Sequence, residues 1–264
     1  MDLAVLGVPI RNETQCEAIA RLEPSLQRRP SPATSVFFVN AHTLNLAAAD
    51  PTFRRTLCNA DFVFADGTGV RWAARLQGVR LKQNMVGTDF VPTLFRETAG
   101  RGFSYFLLGA DASTIERAAD YARKTFDGWT LAGFHHGYLN DAASLDEAIE
   151  QINAARPDVL LVGMGNPLQE RWIERHRAEL NVAVCLGIGG LFDHWAKNIS
   201  RAPRWLRWLG HEWFWLLCQQ PRQKAGRYLI GNPLFLIRAV SERLGLRNFS
   251  LPSRGPSDRN VGRE

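Results

Sequence analysis

The feature that most constrains the fold is a regular alternation of short apolar runs with longer amphipathic runs. Six apolar runs are typical of strands buried on both faces: VFFVN (36–40), DFVFAD (61–66), FSYFLLG (103–109), WTLAGF (129–134), DVLLVG (158–163) and VAVCLGIG (182–189). Helical patterns stand between them at 68–77, 88–99, 111–126, 144–155 and 167–178. This alternation predicts an α/β fold with a Rossmann-like, mostly parallel sheet covered by helices.

Charge and tryptophan are concentrated near the C-terminus. Residues 201–247 hold nine basic and two acidic residues, a net charge of +7, whereas the rest of the chain holds 23 basic and 24 acidic residues. Four of the eight tryptophans lie there too: Trp205, Trp208, Trp213 and Trp215. The shift predicts an α/β catalytic domain at 1–197, a basic, Trp-rich helical appendage at 198–247 and a disordered, Pro/Gly/Ser-rich tail at 248–264.

The four cysteines are widely separated and form no Cys-x-x-Cys motif, which is typical of a reduced chain. The N-terminus MDLAVLGVPI lacks the basic region of a signal peptide, and no segment offers about 18 uninterrupted apolar residues. We therefore expect a cytoplasmic protein.

Ligands of parallel α/β sheets bind at the carboxyl ends of the strands. The residues that follow the predicted strands there are Asn40, Asp66, Gly67, Gly109, Gly163, Gly165 and Asn166. They form a polar rim of small residues with one carboxylate. Asp66 could accept a proton from an attacking hydroxyl, or it could cap the following helix. Asn40 is either a helix cap or a substrate contact.

The stretch VLLVGMGNPLQERWIERH (159–176) looks at first like a dinucleotide-binding turn. Leu168 occupies the position of the third glycine of that fingerprint, which argues against a dinucleotide. The pattern predicts a helix with Asn166 as N-cap, Pro167 at the first position and Gln169 in a capping box. The free N–H groups of such a helix attract a diphosphate, although a purely structural turn is the alternative.

The sequence indicates no metal site. His135 and His136 have no third ligand at a metal-like spacing, and no Asp-x-Asp motif occurs. An enzyme that holds Mg²⁺ on a nucleotide sugar through such a motif is therefore not expected.

Several motifs together resemble the WecG/TagA/CpsF family of bacterial glycosyltransferases: VFFVNAHTLN (36–45), FADG (64–67), VGTDFVP (86–92), VGMGNPLQE (162–170), GIGGLFD (187–193) and SRAP (200–203). The resemblance implies inverting, metal-independent transfer of a sugar, often of the N-acetylmannosamine type. The donor is a UDP-sugar and the acceptor a polyprenyl-diphosphate-linked saccharide, in the biosynthesis of a cell-surface polysaccharide. No cofactor is implied, and homo-oligomerisation stays open.

The resemblance also implies roles for single residues. It assigns Asp66 as catalytic base, with Asn40 and Gln169 in the active site, and places Asp193 at the nucleoside. The substrate-binding set is Gly67, Gly87, Asp89, Gly109, Gly163, Gly165, Asn166, Asp193, Arg201, Arg222 and Arg227, the three arginines matching the RAP, EPR and RY patterns. Two positions depart from the family, with Phe38 in place of Thr and Asn84 in place of Arg, and both bear on the donor sugar.

The appendage suits a lipid interface, because indoles lie at headgroup level and cations meet anionic lipid. We therefore expect a peripheral protein on the inner face of the cytoplasmic membrane. The structural alternative is an ordinary helix pair with a solvated basic face. The functional alternatives are an RNA-binding module and a non-catalytic sugar-nucleotide sensor, and we expect no nucleic-acid partner.

Overall fold

The computed structural model describes residues 3–139, 141–203, 206 and 212–249. Its strands are β1 (Leu3–Val5), β2 (Val8–Ile10), β3 (Thr34–Val39), β4 (Phe62–Ala65), β5 (Ser104–Gly109), β6 (Thr130–His135), β7 (Val159–Gly163) and β8 (Val184–Gly187). Its helices up to residue 195 are α1 (Gln15–Arg28), α2 (Ala41–Ala49), α3 (Pro51–Asn59), α4 (Thr68–Leu76), α5 (Gly87–Glu97), α6 (Ala112–Thr125), α7 (Ala142–Ala155), α8 (Leu168–His176) and α9 (Leu191–Trp195). The C-terminal part holds α10 (Glu212–Gln219), α11 (Pro221–Ala225), a π-helical turn (Gly226–Ile230) and α12 (Gly231–Arg243).

Six strands form one parallel sheet in the order β4-β3-β8-β7-β5-β6, and β1 and β2 form a separate antiparallel hairpin. All six predicted strands and the predicted parallel sheet are confirmed. The helices expected at 68–77, 88–99, 111–126, 144–155 and 167–178 are present as α4 to α8. The hairpin and helices α1, α2, α3 and α9 were not predicted.

The sheet is buried on both faces, as its apolar strands require. In β3, Phe37 and Val39 point into the core cluster on one face, and Val36 and Phe38 point into the cluster on the other. Helices α2, α3, α4 and α12 contribute to the first cluster, and α1, α5, α6 and α9 contribute to the second. The α/β fold class is therefore confirmed.

Short polar residues start several helices by accepting hydrogen bonds from the otherwise unpaired first N–H groups. Asp50 caps α3, where Pro51 takes a place that needs no N–H donor, and Asp111 caps α6. Thr14 and Glu17 form a reciprocal capping box at α1. These caps fix the residue at which each of the three helices begins.

Helix α12 packs against α2 and α4 and belongs to the first core cluster through Phe235, which is fully buried. The Asn45 Nδ2 group donates to the Gly231 carbonyl at 2.6 Å, and the Glu242 carboxylate accepts from the N–H groups of Leu6 and Gly7 at 2.9 and 3.1 Å. These hydrogen bonds attach α12 to the N-terminal hairpin and to α2. The boundary at residue 197 stays a prediction, but it does not separate two cores.

Parts of the predicted appendage and tail lie outside the described residues, at positions 204, 205, 207–211 and 250–264, which include Arg204, Trp205, Arg207 and Trp208. Within the described residues, no helix combines the length and the apolar character needed to cross a bilayer. The four cysteines are free thiols.

Candidate functional site

Four adjacent strands, β4, β3, β8 and β7, bring the loops of interest to one edge of the sheet. The loop after β4 is fixed by three hydrogen bonds: Asp66 N–H to Val39 C=O at 2.8 Å, Gly67 N–H to Asn84 Oδ1 at 2.6 Å, and Met85 N–H to Ala65 C=O at 2.8 Å. Asp66 itself is partly exposed. The structure therefore places this carboxylate on a braced turn at the ligand edge.

Asn40 follows β3, beside the Asp66 turn. Its Oδ1 accepts from the N–H groups of His42 and Thr43 at 3.1 and 3.2 Å, so the helix-cap interpretation is confirmed. Within the described part of the chain, no residue accepts a hydrogen bond from its Nδ2 group. The cap orients the amide, and its Nδ2 group can donate to a ligand oxygen.

Gln169 does not cap its helix, so the capping-box prediction is wrong. Helix α8 begins at Leu168, Pro167 occupies the cap position, and no side chain caps it. Gln169 is 1% exposed; its Oε1 accepts from Gly189 N–H at 3.0 Å, and its Nε2 donates to Glu170 Oε1 at 2.8 Å. The side chain links the loops after β7 and β8, a tertiary role that spacing alone does not reveal.

Glu170 is a buried carboxyl group that the sequence analysis missed. Its Oε1 accepts from both Asn166 Nδ2 and Gln169 Nε2, and its Oε2 has no hydrogen-bond partner among the described residues. Burial raises its pKa to about 7, against the lowering effect of these hydrogen bonds. Asn166, Gln169 and Glu170 therefore form one connected unit beneath the loop.

The glycines of the site fall into two groups. A Cβ on Gly109 would lie 2.3 Å from the Gly163 oxygen, and one on Gly163 would lie 2.7 Å from the Phe192 ring, so close packing explains both. Gly67 and Gly165 have φ angles of 93° and 78°, and a Cβ on either would meet no heavy atom within 4 Å. Their backbone therefore borders open space that a ligand can approach.

The two departures from the family pattern have structural roles. Phe38 is 6% exposed, packs with Phe64 and Phe90, and lies 3.4 Å from the position of a Cβ on Gly87. Asn84 braces the Asp66 turn through the Gly67 N–H. Phe38 thus packs beneath the start of α5, and Asn84 holds the turn after β4.

The C-terminal segment reaches the site through Arg201. Its guanidinium forms an ion pair with Asp89 at 2.9 Å and donates to the Thr88 carbonyl at 3.4 Å, in the first turn of α5. Asp193, expected at the nucleoside, accepts from Asn198 Nδ2 at 3.2 Å. The structure thus pairs two predicted substrate residues, Asp89 and Arg201, with each other.

A second group of cations comes from α11 and the π-helical turn. Burial, followed by the charges of Arg227 and Lys224, lowers the pKa of His42 to about 4. Burial and Arg227 lower the pKa of Lys224, while Asp193 opposes them, so Lys224 lies within electrostatic range of His42, Arg227 and Asp193. Burial and Arg201 likewise lower the pKa of His194.

Of the three predicted arginines, Arg227 joins this cation group, Arg201 pairs with Asp89, and Arg222 is exposed on α11. Lys224, His42 and His194 were missed, because only the excess of basic residues pointed to this segment. No set of three or more His, Cys, Asp or Glu side chains that could hold a metal ion occurs within the described ranges.

Known proteins similar to this chain belong to one family of enzymes. The family model of the Glycosyl transferase WecG/TagA/CpsF family matches residues 3–249. Similar proteins include the N-acetylglucosaminyldiphosphoundecaprenol N-acetyl-beta-D-mannosaminyltransferases of Bacillus subtilis (strain 168), 28% identical over 80% of both chains, and of Bacillus spizizenii, 31% identical over 66% of this chain and 67% of the relative. The Staphylococcus aureus (strain NCTC 8325) enzyme of the same name is 26% identical over 80% of this chain and 82% of its own.

Proposed function

The chain belongs to the WecG/TagA/CpsF family of glycosyl transferases, and from this premise we propose that it moves a sugar from a UDP-sugar to a polyprenyl-diphosphate-linked saccharide. The relatives named above carry N-acetylglucosaminyldiphosphoundecaprenol as acceptor and an N-acetylmannosaminyl group as the transferred sugar in their names. A sugar of this type or a related one is the donor that we propose, in the assembly of a cell-surface polysaccharide. The observation that carries the proposal is the Asp66 carboxylate on a braced turn at the ligand edge of the sheet, the edge that also carries the open turn at Gly165.

The proposed reaction is a single displacement that inverts the donor's anomeric carbon. The acceptor hydroxyl oxygen forms a bond to that carbon, the bond from the carbon to the UDP oxygen breaks, and its electron pair leaves with UDP. Asp66 accepts the hydroxyl proton. General-base assistance of this kind contributes typically 10²- to 10⁴-fold in rate.

The leaving UDP carries negative charge that must be stabilised without a resident metal. The candidates are the backbone N–H groups at the start of α8 and the partly buried guanidinium of Arg201. A helix N-terminus and a partly buried cation can together replace a divalent ion. Metal independence is therefore part of the proposal.

The acceptor's lipid tail requires a position at the bilayer. Several exposed apolar side chains on α4, the π-helical turn and α12, with basic neighbours, support peripheral binding to the anionic inner face of the cytoplasmic membrane. An RNA-binding module and a non-catalytic sensor explain neither the family membership nor the Asp66 turn.

A transfer assay tests the proposal. UDP-sugars, including UDP-N-acetylmannosamine, are incubated with a short-chain prenyl-diphosphate-linked N-acetylglucosamine, and UDP and the disaccharide product are quantified by mass spectrometry. We expect product with an inverted anomeric configuration by NMR and an unchanged rate in excess EDTA. Failure of every UDP-sugar to react would refute the function. Loss of activity in EDTA that Mg²⁺ restores would refute metal independence alone.

A further inference from the structure

A cavity of about 520 Å³ lies between α2 and the C-terminal elements. This volume is within the range of small-molecule sites. One wall is a single face of α2, formed by His42, Asn45, Leu46 and Ala49, and the opposite wall includes Lys224, Arg227, Ile230 and Leu234. Because His42 lies two residues after Asn40, the cavity begins at the ligand edge of the sheet and extends along α2.

The charged residues that line the cavity are all basic. Lys224, Arg227 and Arg238 line it, and none of the described lining residues is acidic. Arg238 is engaged by Asn45, whose backbone and side-chain oxygens accept from its Nη1 at 2.9 Å. Neither Lys224 nor Arg227 forms an ion pair with another described residue, and Asp193 is the acidic group that influences the Lys224 pKa. Two partly buried cations at one end thus suit an anionic group.

Apart from Arg238, the lining residues further along α2 and on the opposite wall are apolar. They are Leu46 and Ala49 on α2, and Ile230 and Leu234 on the opposite wall. Ile230, Leu234 and Ile237 follow each other at intervals of four and three residues, so they share one face of the helix, and they are 70%, 38% and 64% exposed. The apolar wall therefore continues out of the cavity along the surface of α12. An occupant that matches this polarity has an anionic head and a long apolar tail.

We propose that the cavity holds the diphosphate and first isoprene units of the lipid acceptor. The diphosphate contacts Lys224 and Arg227, the first isoprene units pack between Leu46 and Leu234, and the remaining chain leaves along α12. This inference rests on the proposed function, and it gives that function a specific acceptor subsite. The sugar beyond the diphosphate then lies on the Asn40 side of the cavity, toward Asp66.

Binding of isoprenyl diphosphates without a sugar tests the subsite without turnover. Dimethylallyl diphosphate, with one isoprene unit, and farnesyl diphosphate, with three, are titrated calorimetrically into the full-length protein in lipid-free buffer. Burial of one CH₂ group is worth about 0.8 kcal/mol, so we expect farnesyl diphosphate to bind at least about tenfold more tightly. Equal affinity for the two ligands would overturn the proposal.

Matched variants test the apolar and the basic contacts of the cavity separately. Ile230→Asn should reduce the preference for farnesyl diphosphate to below about threefold, whereas Leu229→Asn should leave it unchanged, because Leu229 is exposed on the same turn outside the cavity. Lys224→Gln should lower the affinity for both diphosphates about equally, by roughly tenfold. Its control is Lys124→Gln on α6.

Two results separate this inference from the proposed function. If the parent transfers no sugar but shows the expected chain-length preference and variant pattern, the function fails and the prenyl-diphosphate subsite stands. If transfer occurs but Ile230→Asn and Leu229→Asn behave alike, the subsite is refuted and the function stands. Loss of UDP affinity in Ile230→Asn would show that the donor occupies the cavity, and would also overturn the inference.

Discussion

At the scale of single residues, the Asp66 carboxylate is the group on which the chemistry depends most. Asp66→Asn keeps the shape of the turn and removes the proton acceptor. We expect this variant to bind UDP as the parent does and to lose 10²- to 10⁴-fold in kcat, measured by product formation. Asp146→Asn, an exposed position on α7, is the matched control and should retain the parent rate. A kcat for Asp66→Asn within about twofold of the parent would exclude general-base catalysis by Asp66.

Glu170 gives a second residue-scale prediction. Its folded pKa of about 7 lies above the ordinary 4.5, so between these values the folded state binds more protons than the unfolded state. The free energy of unfolding should therefore fall as pH rises through this window, by on the order of 1–3 kcal/mol, and level off above it. Denaturant titrations of the parent and Glu170→Gln at pH 5 and pH 8 check this.

Glu170→Gln keeps an oxygen that can accept from Asn166 and Gln169 but cannot ionise. We expect it to lose this part of the pH dependence, so that the variant gains stability relative to the parent at pH 8 compared with pH 5. The difference between the two proteins isolates Glu170 from other titrating groups, such as Glu242, whose pKa burial also raises. Parallel pH profiles would show that burial does not perturb this carboxyl group.

Residue roles were predictable from sequence where the chemistry is local. The cap by Asn40 depends on N–H groups two and three residues away, so spacing suffices to predict it. Gln169 instead bonds to Gly189, twenty residues later, on a loop that only the sheet order brings near. Tertiary partners of this kind compete with local capping and leave no periodic pattern in the sequence.

At the scale of elements, the turn from β7 to α8 can be tested as a diphosphate site. Gly165 has a φ of 78°, so a bulky residue there strains the backbone whatever the ligand does. Asn tolerates this conformation, and its side chain would enter the open space in front of the turn. We expect Gly165→Asn to fold with nearly the parent stability and to bind UDP at least about tenfold more weakly in calorimetry, because it blocks the backbone N–H groups.

Gly165→Val separates strain from ligand contact. It should lose stability as well as UDP affinity, since a β-branched residue disfavours a positive φ. If Gly165→Asn keeps the parent affinity while Gly165→Val loses it, the turn is only structural, and the start of α8 does not hold the donor diphosphate.

The elements that sequence periodicity predicts are those with a clear contrast between buried and exposed positions. Helices α4 to α8 show this contrast, whereas the strands of the sheet stand out as continuous apolar runs because most of them are buried on both faces. Helix α2, AHTLNLAAA, shows little difference between its faces because it lies between the sheet and α12. Helix α1 contains Pro24 within a largely polar sequence. Strands β1 and β2 have three residues each, too few for a period.

At the scale of the whole molecule, composition predicted where the positive charge lies but not how the C-terminal part is attached. Phe235 is buried near Gly69 and Ala41, and a Cβ on Gly69 would lie 3.2 Å from the Ala41 side chain and 3.6 Å from the Phe235 ring. Such fit between α12 and the domain depends on surfaces that exist only after folding. The same packing leaves other apolar residues of α12 exposed on the outer face.

That outer face supports the last prediction, which concerns membrane binding. Ile237 and Leu244 are 64% and 66% exposed on and just after α12, with Arg243 and Arg247 nearby. Each basic residue near an anionic surface contributes about 1 kcal/mol, and at 1 M salt the screening length shortens to about 3 Å. We expect the full-length protein to float with phosphatidylglycerol vesicles at low salt, and to be released by 1 M salt or by neutral phosphatidylcholine vesicles.

Apolar insertion should add to this attraction. The double variant Ile237→Asn, Leu244→Asn removes two exposed apolar side chains outside the cavity, and we expect at least about a tenfold loss of vesicle affinity, because burying a side chain of this size is worth about 1.5–3 kcal/mol. Tyr138→Asn, at an exposed position after β6, controls for the loss of surface apolar area elsewhere. If the double variant floats as the parent does while Tyr138→Asn does not, the protein binds lipid through a different face, and α12 cannot guide the acceptor chain from the bilayer to Asp66.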